Sequence, residues 1–383
     1  MKKYFILLVF LLGTIFFISN VFDKEEKTLD PSFNEMRGLF FSYIELSNYI
    51  KGYSLEESKS NILNILNNTS DMGFNTLILQ VRSFSDAIYD SSIFPMSKVI
   101  VNNEGDEYYD VLQYFIDEGS KLGIDIIAWI NPYRIRGDLN SDDISTLNPA
   151  YKFLNTDVVY YGKGIYYNPL KDEVTDLILS GIEEILINYD IKAILFDDYF
   201  YPEGFSLVDS VFNTSDSSIE DFRFMKINEM IESVYSLCNE YSVLFGVSPD
   251  GNISNNYIKH YADVKSWVNS DKYIDFIMPQ IYYGFYNEVK PFYDTLEEWE
   301  EVVADDISLI PALGIYKSGK KDLYAKGGSE EWINSSDIIM REVLLSRNVL
   351  GYGGFSLYRY DSVFGDINNL ATEEVSNLEK ILD

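Results

Sequence analysis

From residue 35 onward, short apolar runs alternate with stretches whose apolar positions recur every three or four residues. The first run is MRGLFFSYIEL (36–46). In 54–72, which follows, Leu55, Ile62, Leu63, Ile65 and Leu66 fall on one stripe, the period of an amphipathic helix. Gly73 stands where such helices end. The later runs are NTLILQVR (75–82), IDIIAWINPY (124–133), AILFDDYFYP (193–202), VLFGVSPDG (243–251), IDFIMPQIYYGF (274–285), SLIPALGIY (308–316) and GYGGFSLYRY (351–360). Helical patterns follow them at 108–122, 171–189, 219–241, 258–268, 291–303, 330–347 and 373–382. Continuous apolar runs read as strands buried on both faces, which is the state of a parallel sheet. Eight strand–helix units predict an α/β fold, a (β/α)8 TIM barrel over 35–383. The rival is an open doubly wound sheet, but the glycine fingerprint of nucleotide-binding versions is absent.

In such a barrel, chemistry collects where strands end. Here polar and aromatic residues gather at those ends, while strand starts are mostly apolar. Strand two ends in Gln80 and Arg82, with Asp86 beyond. Strand three ends in Trp129, Asn131, Tyr133 and Arg134. Strand four ends in Asp197, Asp198 and Tyr199, and strand five in Ser248 and Asp250. Strand six carries Gln280 and Tyr283, strand seven Lys317, and strand eight Tyr358 and Asp361.

Composition narrows the chemistry. With 61 acids against 30 bases, net charge −31, the chain is unsuited to nucleic acid and to broad docking on an anionic membrane. The single cysteine, Cys238, excludes an internal disulfide and reads as a small core residue. The single histidine, His260, excludes zinc sites needing several imidazoles. Its setting, NYIKHYAD, predicts an exposed helix position. Carboxylates must therefore carry the proton transfers, and neither metal nor cofactor is expected. Residues 1–23 pair Lys2 and Lys3 with an apolar run over 4–22, long enough for a signal peptide or a signal anchor; 24–34 reads as a linker. The positive-inside rule then places the bulk of the chain outside the cytoplasm, exported or anchored, with membrane contact through that segment alone.

Two carboxyl groups with aromatic and amide side chains around them suit glycoside hydrolysis. One serves as acid, the other as base or nucleophile, at about 5 Å for retention or about 6.5–9.5 Å for inversion. Asp198 is the first candidate for the acid. Strand alternation points only one of Asp197 and Asp198 into the barrel mouth, and the neighbouring charge would raise the donor's pKa. Asp250 is the natural second carboxylate, although SPDGN also reads as an Asp-Gly turn. Trp129, Tyr133, Tyr199, Tyr283 and Tyr358 could stack on sugar faces. Asn131, Gln280 and Lys317 could bind hydroxyls, Arg82 and Arg134 could orient anions, and Asp86 stands in reserve. Rim packing is the plainer reading of each aromatic, since aromatic residues are abundant throughout (16%).

Taken in order, EMRGLFF, GFNTLILQVRSFSDAIYDSSIFP, AWINPYR, YYNP, ILFDDYFYP, FGVSPDGN, DFIMPQIYYGF and GYGGFSLYRYD resemble the glycosyl-hydrolase-like family 10 proteins of bacterial envelopes, which are distinct from family 10 xylanases. The resemblance runs from Glu35 to Asp361. It implies a (β/α)8 barrel that hydrolyses glycosidic bonds, in some members those of peptidoglycan glycan strands, with the acid at Asp197 or Asp198. Unlike lipoprotein members, this chain has no lipid-accepting cysteine directly after its apolar run. The leading expectation is an exported glycosidase acting on an envelope or extracellular polysaccharide. A barrel that binds glycans without cleaving them is the alternative. A metal-dependent deacetylase is disfavoured by the lone histidine.

Overall fold

The apolar runs form the strands of one parallel, curled sheet with helices packed outside it. In this computed structural model, residues 35–101, 108–138, 144–154, 158–161, 164–198, 200–201 and 219–382 are described. The apolar run at 4–22 and the linker at 24–34 therefore lie outside the described residues, as does Tyr199. Among the described residues no helix is long and apolar enough to cross a membrane.

Strand β1 (Met36–Phe41) leads through α1 (Tyr43–Tyr49) and α2 (Leu55–Asp71) to β2 (Thr76–Arg82). Then come α3 (Val111–Lys121), β3 (Asp125–Ile130), β4 (Arg134–Arg136), β5 (Val158–Tyr161), β6 (Gly164–Tyr167), α4 (Asp172–Asn188) and β7 (Ala193–Phe196). Helix α5 (Ile219–Glu240) precedes β8 (Leu244–Val247), and α6 (Ile253–His260) and α7 (Val264–Trp267) follow it. The short strands β9 (Phe276–Ile277) and β10 (Gln280–Ile281) precede α8 (Phe292–Val302). After β11 (Ser308–Leu309) and β12 (Ala312–Leu313) come α9 (Glu331–Asn334), α10 (Ile338–Ser346), β13 (Gly354–Leu357), α11 (Asp361–Phe364) and α12 (Asn369–Glu379).

All pairings in the large sheet are parallel. Leu39 of β1 stands opposite Leu77 of β2 and Leu357 of β13. The ladder continues from β2 to β3, β7, β8 and β9. Strand β9 also pairs with β11, and β10 with β12, which pairs with β13. Side-chain alternation sorts the strand residues into two layers. Phe40, Ile78, Ile127, Trp129, Leu195, Phe276, Met278, Ile310 and Ala312 form one inner cluster. Strands far apart in the chain meet in this cluster only because the sheet curls. The alternate residues, among them Leu39, Leu77, Leu79, Ile126, Ile194 and Phe196, face outward and join the apolar stripes of the helices.

Local signals set the element ends. Ser42 and Glu45 make a reciprocal capping box at the start of α1, and Ser54 and Glu57 another at α2. Such caps stabilise a helix by about 1 kcal/mol each. Gly73 closes α2 at φ +88°, where a side chain would be strained.

Three features depart from the sequence expectations. The long connection after β3 holds a separate antiparallel sheet, ordered β4-β6-β5. The helix expected over 258–268 is two short helices, parted by Tyr261 in the left-handed conformation (φ 52°, ψ 33°). The helix expected over 330–347 is likewise two, α9 and α10.

Candidate active site

Strand β7 delivers the acids. Its last residue, Phe196, faces outward, so Asp197 turns back toward the interior and Asp198 begins the loop. Asp197 is 4% exposed. Its Oδ2 accepts the Trp129 indole N–H at 3.2 Å and the Asn131 amide N–H. An oxygen engaged by two N–H donors carries no proton. The chain of bonds extends sideways: Asn131 accepts from the Gln80 amide, and Gln80 Oε1 accepts the Tyr43 backbone N–H at 2.8 Å. Asp197 is thus the anchored carboxylate, bound into β2, β3 and the start of α1.

Asp198 is half-buried. Burial pushes its carboxyl above the usual carboxylate range, and the Asp250 charge pushes the same way. The His260 imidazole and a hydrogen bond from Gln280 act against them. A carboxyl raised in this way can hold a proton to donate. Asp250 follows β8. Its Oδ1 accepts the Asn252 N–H at 2.7 Å and its Oδ2 the Asn255 amide at 2.9 Å, so it caps the turn that starts α6. The Tyr283 hydroxyl stands 3.4 Å from Oδ1. The turn-residue reading of Asp250 therefore describes its local bonds, while its charge still acts on Asp198. Gln280 joins the two sides, since its amide also donates to the Ser248 carbonyl at 3.0 Å.

Tyrosines line the same end. The rings of Tyr282 and Tyr358 lie 5.7 Å apart, and Tyr316 lies 5.7 Å from Tyr282 and 6.0 Å from Tyr358. Burial raises the Tyr282 hydroxyl well above its ordinary value, with Asp197 and Asp198 adding to the effect. Burial likewise pushes Tyr358 up to about 12. These hydroxyls stay protonated at neutral pH and can donate to sugar oxygens.

Residues 35–320 match the profile of the glycosyl hydrolase-like 10 family. The chain belongs to this family. It is 33% identical over 279 residues to the glycosyl hydrolase YngK of Bacillus subtilis strain 168, with 65% of this chain and 54% of YngK covered. The chain thus spans about half the length of that relative. Against the glycosyl hydrolase DigH of Escherichia coli K12 it is 27% identical over 341 residues, covering 78% of this chain and 77% of DigH. Among solved structures, the glycoside hydrolase domain of PgaB (BpsB) from Bordetella bronchiseptica superposes with a TM-score of 0.59 at 13% identity, over 90% of this chain and 99% of that one. The catalytic domain of the Paenibacillus polymyxa β-amylase gives 0.52 at 11% identity, over 90% and 98%. These two show a shared fold.

Several residues singled out in the family member's sequence stand elsewhere than expected. Arg82 does not point into the mouth. A bulge at Val81 leaves Gln80 opposite inward-facing Trp129 but sets Arg82 opposite outward-facing Ile130. The guanidinium lies 4.4 Å from the centre of the Phe94 ring, in the layer between sheet and helix. Tyr133 is fully buried in the outer core and presents no face to a sugar. Trp129 lies edge-on to Phe40 at 5.3 Å, inside the sheet, and serves Asp197. Lys317 is tied to the Tyr282 carbonyl and to Asp322. Arg134 lies over the Phe84 ring at 4.7 Å and the Tyr43 ring at 5.6 Å. Asp86 accepts from Ser97 at 2.7 Å, and burial pushes it up to about 6. Asp86, Tyr43 and Phe84 line a cavity of about 760 Å³ beside the acids' end of the sheet.

His260 is the functional-site neighbour that the sequence concealed. It was expected on an exposed helix face, yet it is buried, and the imidazole acts to lower the Asp198 pKa. Its ring meets the Tyr201 backbone carbonyl of the turn after β7, far away in sequence. Among the described residues, no group of three or more His, Cys, Asp or Glu is placed to hold a metal ion.

Proposed function

We propose that this protein is a glycoside hydrolase in which Asp198 donates the proton to the leaving-group oxygen and a second carboxylate, Asp250, serves the opposite side of the bond. The observation that carries this reading is the half-buried Asp198 carboxyl at the end of β7, held by Gln280 and facing the Asp250 charge. Asp197, anchored by Trp129 and Asn131, keeps the end of β7 in place. Tyr282, Tyr283 and Tyr358 supply hydroxyls and ring faces to the glycan. Membership of a glycosyl hydrolase-like family and the fold shared with glycoside hydrolases support the reaction class.

The same reading extends to the architecture. Taking β9 with β10, and β11 with β12, as two strands each interrupted by two residues gives eight strands, the count of a closed (β/α)8 barrel. The substrate is a cell-envelope or extracellular polysaccharide, with peptidoglycan glycan strands the first to test. The apolar run at 4–22 would deliver the chain to that compartment.

The test is incubation of the protein with purified peptidoglycan and a panel of polysaccharides, followed by mass spectrometry of released fragments. New reducing ends from one of them, absent with Asp198→Asn, support the reading. Binding of a glycan without release of fragments supports a non-catalytic glycan-binding barrel instead.

A further inference from the structure

His260 is the chain's single histidine, and only 9% of it is exposed. It is the last residue of α6. Its Nδ1 lies 2.8 Å from the backbone carbonyl of Tyr201. A carbonyl oxygen only accepts, so Nδ1 carries the hydrogen and the ring's remaining proton site is Nε2. Tyr201 comes three residues after Asp198 in the turn that leaves β7. This bond therefore ties the segment bearing the acid to the end of a different helix.

The neighbours strengthen the tie. The rings of Tyr201 and Tyr261 lie 5.2 Å apart. The Arg223 guanidinium from α5 stands over both, at 5.7 and 5.0 Å, and donates to the Tyr261 hydroxyl at 2.9 Å. Tyr261, in the left-handed conformation, ends α6 directly after His260 and so fixes where the imidazole stands. Within the turn, the Phe200 N–H donates to the Asp198 carbonyl at 3.0 Å.

We infer that His260 is a positioning residue for Asp198: one ring nitrogen fixes the turn that carries the acid, and the imidazole sets the charge that the acid faces. This rests on the reading of Asp198 as the proton donor. The titratable groups around the pair are Asp250 after β8 with Tyr283 on it, and Tyr282 after β10, on the Asp198 side, and Tyr201 in the turn, Tyr261 after α6 and Arg223 from α5 on the His260 side. Burial and then the Asp250 charge hold the proton on Asp198, while the imidazole acts to release it.

The experiment separates the two functions of the ring. His260→Asn places an amide N–H where Nδ1 donates but removes the imidazole; His260→Ala removes both. The Asp198 carboxyl is titrated by carbon-13 NMR in protein labelled at aspartate, its signal assigned by loss in Asp198→Asn. This readout needs no substrate, so it stands even if no glycan is cleaved. The expected result is an upward shift of the Asp198 midpoint by about half a pH unit or more in both variants. Thermal stability should be kept in His260→Asn and lowered in His260→Ala. Where a substrate is in hand, the basic limb of the pH–rate profile should move up in step. An unchanged Asp198 midpoint in folded His260→Asn overturns the inference. So does equal loss of stability in both variants with no movement of the titration, because that is the signature of a purely structural histidine.

Discussion

The Trp129 indole N–H reaches Asp197 Oδ2 across 3.2 Å, from β3 to the end of β7. Trp129 also packs edge-on against Phe40 in the inner cluster. One side chain thus joins the apolar interior to the first acid. Removing the donor while keeping a ring leaves a buried carboxylate short of a partner. Trp129→Phe should lower stability by about 1–3 kcal/mol, read as a shift in the urea midpoint. Asn131→Ala should act in the same direction and less than additively with it, since both serve one oxygen. Full additivity would show that the two donors act on separate groups.

Arg82 makes a second case for structure over chemistry. A β-carbon added at Gly181 of α4 would stand 2.3 Å from Arg82 Nη1 and 2.6 Å from the Phe94 ring. The helix approaches the sheet this closely only because it carries glycine there. Gly181→Ala should cost about 1–3 kcal/mol. Arg82→Met, which shortens the blocking group, should recover part of that loss in the double variant. Denaturation of the four proteins measures the coupling directly. No recovery would place the Arg82 side chain away from α4.

The outer layer carries a pH-dependent element. Glu374 of α12 accepts the Ile339 N–H at 2.6 Å, and burial raises its carboxyl from 4.5 to about 7. Burial, with Glu374 adding to it, also raises the Glu342 carboxyl of α10 well above its ordinary value. A folded-state pKa above the unfolded one means that the folded protein binds the proton more tightly. The contribution is therefore fully present below the unfolded value near 4.5, falls as pH rises to about 7, and levels off beyond. Glu374→Gln keeps the acceptor and removes the charge. Its stability between those limits should decline less steeply with pH than that of the parent. Parallel curves would show that Glu374 titrates alike in both states.

Much of this fold is legible in the chain because its strands are buried on both faces. The runs at 36–46, 75–82, 124–133 and 193–202 contain β1, β2, β3 and β7. What escapes the pattern is local geometry. Nothing in TLILQVR marks Val81 as the extra residue of a bulge, so simple alternation sends Arg82 to the wrong face. The break at Tyr261 is hidden because a non-glycine residue takes the left-handed conformation. His260 looks solvated because its cover comes from Tyr201, some sixty residues earlier, and a helical period sees only its own neighbours. Asp197 and Asp198 stand out for the opposite reason. Two acids stand directly after four buried apolar residues where a turn cap needs only one, and the structure gives them different surroundings: Asp197 is anchored by two donors, and Asp198 opens to the loop.

That division of labour leads to the decisive experiment. Rates of reducing-end release, together with glycan binding, are to be measured for the parent, Asp198→Asn and Asp250→Asn on the substrate identified by the fragment screen. Asp198→Asn should fold and bind as the parent does but turn over about 10²–10⁴-fold more slowly. Turnover by Asp198→Asn within a few-fold of the parent would contradict the assignment of Asp198 as the proton donor.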